Sequence, residues 1–213
     1  MKQTTYEIIN DLFLRYPALA VCKDEITKAA ETICKAFANG KKLLLCGNGG
    51  SASDSLHIVG ELMKEFAVKR PLPEKVKYAL AQAGDDGYMA KNLQGGLPAI
   101  SLVGVTALES AYANDAAPDL AFAQQVLALG KEGDVLLGIT TSGNSANVIY
   151  ATRAAKAIGM TSVVLTGGTG GKIKDMCDCA VVVPAKETYK VQEYHLPVYH
   201  TLCLAIENEF FGG

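Results

Sequence analysis

Lys42-Leu43-Leu44-Leu45-Cys46-Gly47-Asn48-Gly49-Gly50-Ser51 is a short apolar run that ends in a polar, glycine-bearing turn, and residues Ser53 to Phe66 beyond it repeat their apolar positions at helical spacing. A strand that runs straight into a helix is the repeating unit of an α/β fold. Four more apolar runs follow, Ala99 to Val103, Val135 to Ile139, Ser162 to Thr166 and Ala180 to Pro184, with helical patterns at Ala121 to Leu129 and Ala146 to Ile158 between them. The runs are continuous rather than alternating, the mark of strands buried on both faces. The expected fold is therefore α/β, a three-layer αβα sandwich around a five-stranded parallel sheet.

Working outward, residues 1–38 carry apolar residues at helical spacing in two segments broken at Tyr16-Pro17, which predicts an N-terminal helical pair. A last helical pattern from Tyr189 to Phe210 contains Pro197, which should kink it. The segment 72–97 is long for a connection in such a sheet and is punctuated by Pro73, Gly84-Asp85-Asp86-Gly87 and Gly95-Gly96. It is expected to be an inserted helical excursion or lid within a single domain spanning 1–213.

The 213 residues carry 20 Lys+Arg and 22 Asp+Glu, a net charge of −2, so no basic excess points to nucleic acid. No secretory leader opens the sequence and no run of about 18 apolar residues suggests a membrane span, so a cytoplasmic protein is expected. The 6 cysteines are scattered without a CxxC pair and read as reduced core residues.

The turn at Gly47 to Ser51 offers glycine backbone and helix N–H groups to an anion, although a plain strand-to-helix turn has the same look. It has neither the lysine of an ATP-binding loop nor the GxGxxG dinucleotide pattern, so no nucleotide is expected. A second turn, Thr140-Thr141-Ser142-Gly143-Asn144-Ser145, follows the third strand. Asn144 or Ser145 alone could be a helix cap, but one cap does not need five polar side chains. Two such turns at strand carboxyl ends favour a phosphorylated small molecule. His57 and Glu61 are one helical turn apart, a spacing shared by a metal pair, a proton-transfer pair and an ordinary surface contact. The remaining histidines, His195 and His200, lie near Gln192 and Glu193 in the last helix.

With these residues in view, the chain resembles the SIS-fold sugar isomerases, and within them the branch that works on seven-carbon sugar phosphates. The resemblance rests on Cys46 to Ser51, on Gly133 to Ile149, and on Gln192-Glu193 followed by His200, all in family order. It implies that Asn48, Gly49 and Gly50 contact the sugar, that Ser51, Thr140, Thr141, Ser142 and Ser145 surround its phosphate, and that Asn114 and Asp115 reach the sugar chain. Glu61 and His200 are the implied catalytic pair, with Glu61 and Gln192 also touching substrate. His57, Glu61, Gln192 and His200 correspond to a zinc site seen in some members, and a homotetramer is implied.

The implied reaction interconverts a ketose phosphate and an aldose phosphate, D-sedoheptulose 7-phosphate and D-glycero-D-manno-heptose 7-phosphate, through an enediol, as the first step toward activated heptose for surface polysaccharide. The same fold also serves non-catalytic phosphosugar sensors, but Glu61, Gln192 and His200 are all retained here. An isomerase of another ketose or aldose phosphate and a non-catalytic phosphosugar-binding module are the two alternatives. Two positions depart from the family pattern: Glu65 stands where an arginine is expected, and Tyr189 where an aspartate is. Lys69 or Arg70 is the expected substitute for the missing positive charge. His195 is expected to pack rather than act.

Overall fold

The computed structural model describes residues 1–213. Five parallel strands, β1 (Leu43–Gly47), β2 (Ala99–Ser101), β3 (Val135–Ile139), β4 (Thr161–Gly167) and β5 (Cys179–Val183), form one sheet in the order β2-β1-β3-β4-β5. Nine helices accompany it: α1 (Gln3–Arg15), α2 (Lys23–Ala38), α3 (Gly50–Met63), α4 (Glu74–Gln82), α5 (Tyr88–Asn92), α6 (Thr106–Asp115), α7 (Ala121–Leu129), α8 (Ala146–Ala157) and α9 (Thr188–Phe211). A 3-10 segment, Pro17–Cys22, joins α1 to α2 at the expected break.

Alternate side chains of each strand go to opposite faces, and this divides the core in two. Leu43, Leu45 and Leu137 pack with Ile9, Ile33, Ile58 and Leu202 from α1, α2, α3 and α9. Leu44, Cys46 and Leu136 pack with Phe122, Val126, Val148 and Ala151 from α7 and α8. That is the three-layer arrangement the sequence implies.

The reading of every strand as buried on both faces holds for β1 and β3 and fails at the edges. Ile100 of β2 is 38% exposed, and β5 alternates between buried and half-buried positions. An edge strand has a neighbour on one side only, and β2 accordingly ends at Ser101, two residues before the expected Val103. Pro197 sits inside α9, which runs as one helix from Thr188 to Phe211. The segment 72–97 holds α4 and α5, neither with a buried residue. All six cysteines are free, five of them buried. No helix is long and apolar enough to cross a membrane.

Candidate active site

The sheet order reverses at β1, whose neighbours are β2 on one side and β3 on the other. In open α/β sheets the crevice beyond the strand ends at such a reversal takes the ligand, because the flanking turns diverge there. The two polar turns of this chain leave β1 and β3 at that point, and Asn48 and Asn147 join them by a reciprocal amide pair of 2.9 and 2.8 Å. Gly47, Asn48, Gly49, Glu109, Phe122 and Asn147 line a cleft of about 290 Å³ beside them.

Neither helix that starts here has a side-chain cap. The alternative reading of Ser145 as a helix cap is not what the structure shows. Its hydroxyl lies 2.9 Å from that of Thr140, inside the turn. Asn144, exposed, folds back on the turn instead of capping, donating to Ser142 O and accepting from Lys172 N–H. At the N-terminus of α3 the Ser51 and Ala52 N–H groups donate to Asn48 O and Gly49 O, and at that of α8 the Val148 N–H donates to Asn147 Oδ1; the N–H groups of Gly50, Ala146 and Asn147 and the partial positive charge of each helix end are left for an anion. Gly143 has φ of +68°, and a Cβ there would collide with the Gly170 carbonyl, so only glycine lets this turn close. Ser51 is buried at the start of α3, and Thr140 is buried beneath the second turn. Asn114 and Asp115, at the end of α6, hydrogen-bond to each other at 2.7 Å and are not among the cleft's lining residues.

Further along α3, His57 Nε2 lies 3.2 Å from Glu61 Oε1, and Lys64 Nζ lies 3.2 Å from the other Glu61 oxygen. From α9, the His200 ring packs edge-on to His57 with centroids 5.1 Å apart. Burial first, then the neighbouring His57, lowers the His200 pKa below the ordinary imidazole value, against the pull of Glu61. His200 Nε2 is buried and has no hydrogen-bond partner. Tyr199 Oη lies 3.1 Å from His57 Nδ1. Burial, and next the Asp54 carboxylate, push the Tyr199 phenol well up, and burial raises Asp54 as well.

The four residues expected to hold zinc are not assembled within one chain, and no three His, Cys, Asp or Glu side chains are arranged to hold a metal ion. His57, Glu61 and His200 are neighbours. Gln192 is eight residues before His200 on the same helix, about 12 Å along its axis, and its amide packs where a Cβ on Gly50 would stand. In donor type, though not in arrangement, two imidazoles and a carboxylate suit zinc, and His200 Nε2 is buried with no hydrogen-bond partner.

The expected role of Lys69 or Arg70 as the replacement charge needs correction for Arg70. Its side chain has no exposed surface and is tied to Glu207 at 2.8 Å and to the Leu62 and Glu61 carbonyls at 2.7 and 3.2 Å. The cation that does touch Glu61 is Lys64, three residues further along, with Nζ 3.2 Å from Oε2. The Glu65 backbone N–H donates to Gln94 Oε1, and Tyr189 is 59% exposed. His195 is fully buried, with Nε2 3.3 Å from Thr166 O, the packing role expected. Asp54, Glu109, Asn147 and Tyr199 are further site neighbours; their only sequence signal is proximity to a motif.

A model described as SIS domain matches residues 18–85 and 76–167. A phosphoheptose isomerase of Burkholderia pseudomallei (strain K96243) is 41% identical over 187 residues, 88% of this chain and 83% of that one. The chain belongs to the phosphoheptose isomerase family of SIS-domain proteins. Two solved family structures agree. A phosphoheptose isomerase from Neisseria gonorrhoeae is 36% identical, with a TM-score of 0.69 over 86% of each chain. One from Francisella tularensis is 30% identical, with a TM-score of 0.75 over 96% of this chain and 95% of that one.

Proposed function

We propose that the chain is an aldose–ketose isomerase that interconverts D-sedoheptulose 7-phosphate and D-glycero-D-manno-heptose 7-phosphate. The observation that carries this reading is the unpartnered His200 nitrogen beside the His57–Glu61 pair, one helix length from two uncapped turns. The turns, through Ser51, Thr140, Thr141, Ser142 and Ser145, take the phosphate; Asn48, Gly49 and Gly50 take the sugar.

Isomerisation moves one proton between adjacent carbons and one between their oxygens. Glu61, held at both oxygens by His57 and Lys64, is the base that removes the proton beside the carbonyl and returns it to the next carbon of the enediol. His200, kept toward its neutral form by burial, moves the hydroxyl proton. Zinc, when bound, would be held by His57, Glu61 and His200 and would polarise the carbonyl oxygen.

Purified protein should convert sedoheptulose 7-phosphate, and Glu61→Gln and His200→Gln should each lower kcat by roughly 10²–10⁴-fold. Loss of turnover with a chelator would assign a role to zinc. Wild type that binds phosphosugars without turnover would move the reading to a sensor, and turnover of a pentose phosphate alone would overturn the heptose assignment.

A homotetramer is part of this reading, because Gln192 cannot meet His57 and His200 of its own chain and exposed Leu56 and Met63 flank the cluster on α3. Light scattering should give four times 22.5 kDa; a monomer at micromolar concentration would contradict it. A cytoplasmic location accords with an ionised phosphosugar substrate.

A further inference from the structure

β1 and β3 end side by side, with Gly47 beside Ile139 in the sheet, so the turns assigned to sugar and to phosphate leave it together. Asn48 stands on the first of these turns, and Asn147 stands just beyond the second, in the first turn of α8. Each amide donates to the other, Asn48 Nδ2 to Asn147 Oδ1 at 2.9 Å and Asn147 Nδ2 to Asn48 Oδ1 at 2.8 Å. A lone amide can sit either way round, since its oxygen and nitrogen are alike in shape and opposite in role. Here the choice is made from outside the pair. The Val148 backbone N–H donates to Asn147 Oδ1 at 3.0 Å, and only the oxygen of that amide can accept it. Asn147 Nδ2 is thereby turned to Asn48 and requires the Asn48 oxygen in reply; a flipped Asn48 would set N–H against N–H and oxygen against oxygen. An amide has two N–H hydrogens and two carbonyl lone pairs, so Asn48 keeps one of each for the cleft that both residues line.

We propose that Asn147 is a positioning residue that acts through Asn48: it decides which way round the Asn48 amide meets the sugar, and it fixes the span between the sugar turn and the phosphate turn. A substrate anchored by its phosphate presents its reacting carbons at a distance set by that span, and a misplacement of about 1 Å is enough to cost about 100-fold in rate. The effect on rate rests on the isomerase reading; the order of hydrogen bonds in the pair does not.

The test is a double-mutant cycle of Asn48→Ala and Asn147→Ala in the full chain, read with sedoheptulose 7-phosphate. Asn147→Ala alone should lower kcat by about 10–100-fold with KM changed less than about threefold. In the Asn48→Ala background the same change should lower kcat less than about twofold, because residues that act as one unit are not additive. If Asn147 served only to start α8 through Val148, the loss would be equal in both backgrounds; that outcome overturns the proposal, as does an unchanged kcat in the single variant. Nitrogen NMR of the side-chain amides adds a readout that needs no substrate. The Asn48 amide, identified by its absence from Asn48→Ala, should exchange hydrogen with water about fivefold faster in Asn147→Ala than in wild type, and equal rates overturn the proposal. Absence of turnover in wild type would instead strike the isomerase reading, with the NMR result still deciding the pairing.

Discussion

Arg70 and Glu207 are 137 positions apart in the chain and meet with no exposed side-chain surface. Glu207 also accepts from the backbone N–H groups of Phe66, Ala67 and Val68, and Arg70 donates to the Leu62 and Glu61 carbonyls in the last turn of α3, so one pair closes the helix that carries Glu61. Removing one member of a buried pair strands the other charge. Glu207→Ala should cost about 3–5 kcal/mol in urea unfolding, whereas Arg70→Met with Glu207→Leu should recover much of that loss. The sequence could not show this: an arginine beside a site motif reads as a ligand for substrate until its partner from the far end of the chain is placed. Gln192 is the opposite case, because an eight-residue spacing on one helix already separates it from His200 by more than a ligand set allows.

Helices α4 and α5 bury nothing, and the backbone closes their base, with a Pro71–Gln94 bridge and Gly95 N–H donating to Arg70 O at 2.7 Å. Excising residues 74–92 and joining the ends with a short glycine turn should leave unfolding free energy within about 1 kcal/mol of the parent, measured by denaturant titration. A larger loss would mean that the excursion supports the sheet. At this scale the sequence was most legible: α7 and β3 have the expected ends, since continuous apolar runs and helical spacing record burial directly. Ends went astray where burial is one-sided, as in β2, and where the turn itself begins the helix, as at Gly50 rather than Ser53.

For the molecule as a whole, the five-stranded order places both polar turns at the reversal, and continuous strands between helices were enough to foresee the layers but not that order. Stability carries its own signature. Burial depresses the His195 pKa from 6.5 to about 4. Between those values the unfolded chain takes up a proton that the folded chain refuses. Stability is therefore full above pH 6.5 and falls as the pH drops to about 4, by on the order of 3 kcal/mol from this group. His195→Gln should flatten that part of the pH–stability curve in urea titrations; an unchanged slope would assign the acid sensitivity elsewhere. The six unpaired cysteines carry a last consequence. Burial raises Cys22 and Cys179 to about 11 and Cys34 and Cys46 to about 12, with Cys203 higher still. Peroxides and alkylating reagents attack the thiolate, which at neutral pH is about one part in ten thousand or less at these five positions. Burial raises Cys177 as well, but it is the one half-buried thiol, so oxidative ageing should start there and leave the sulfur inside the two cores untouched as long as the sheet stays closed.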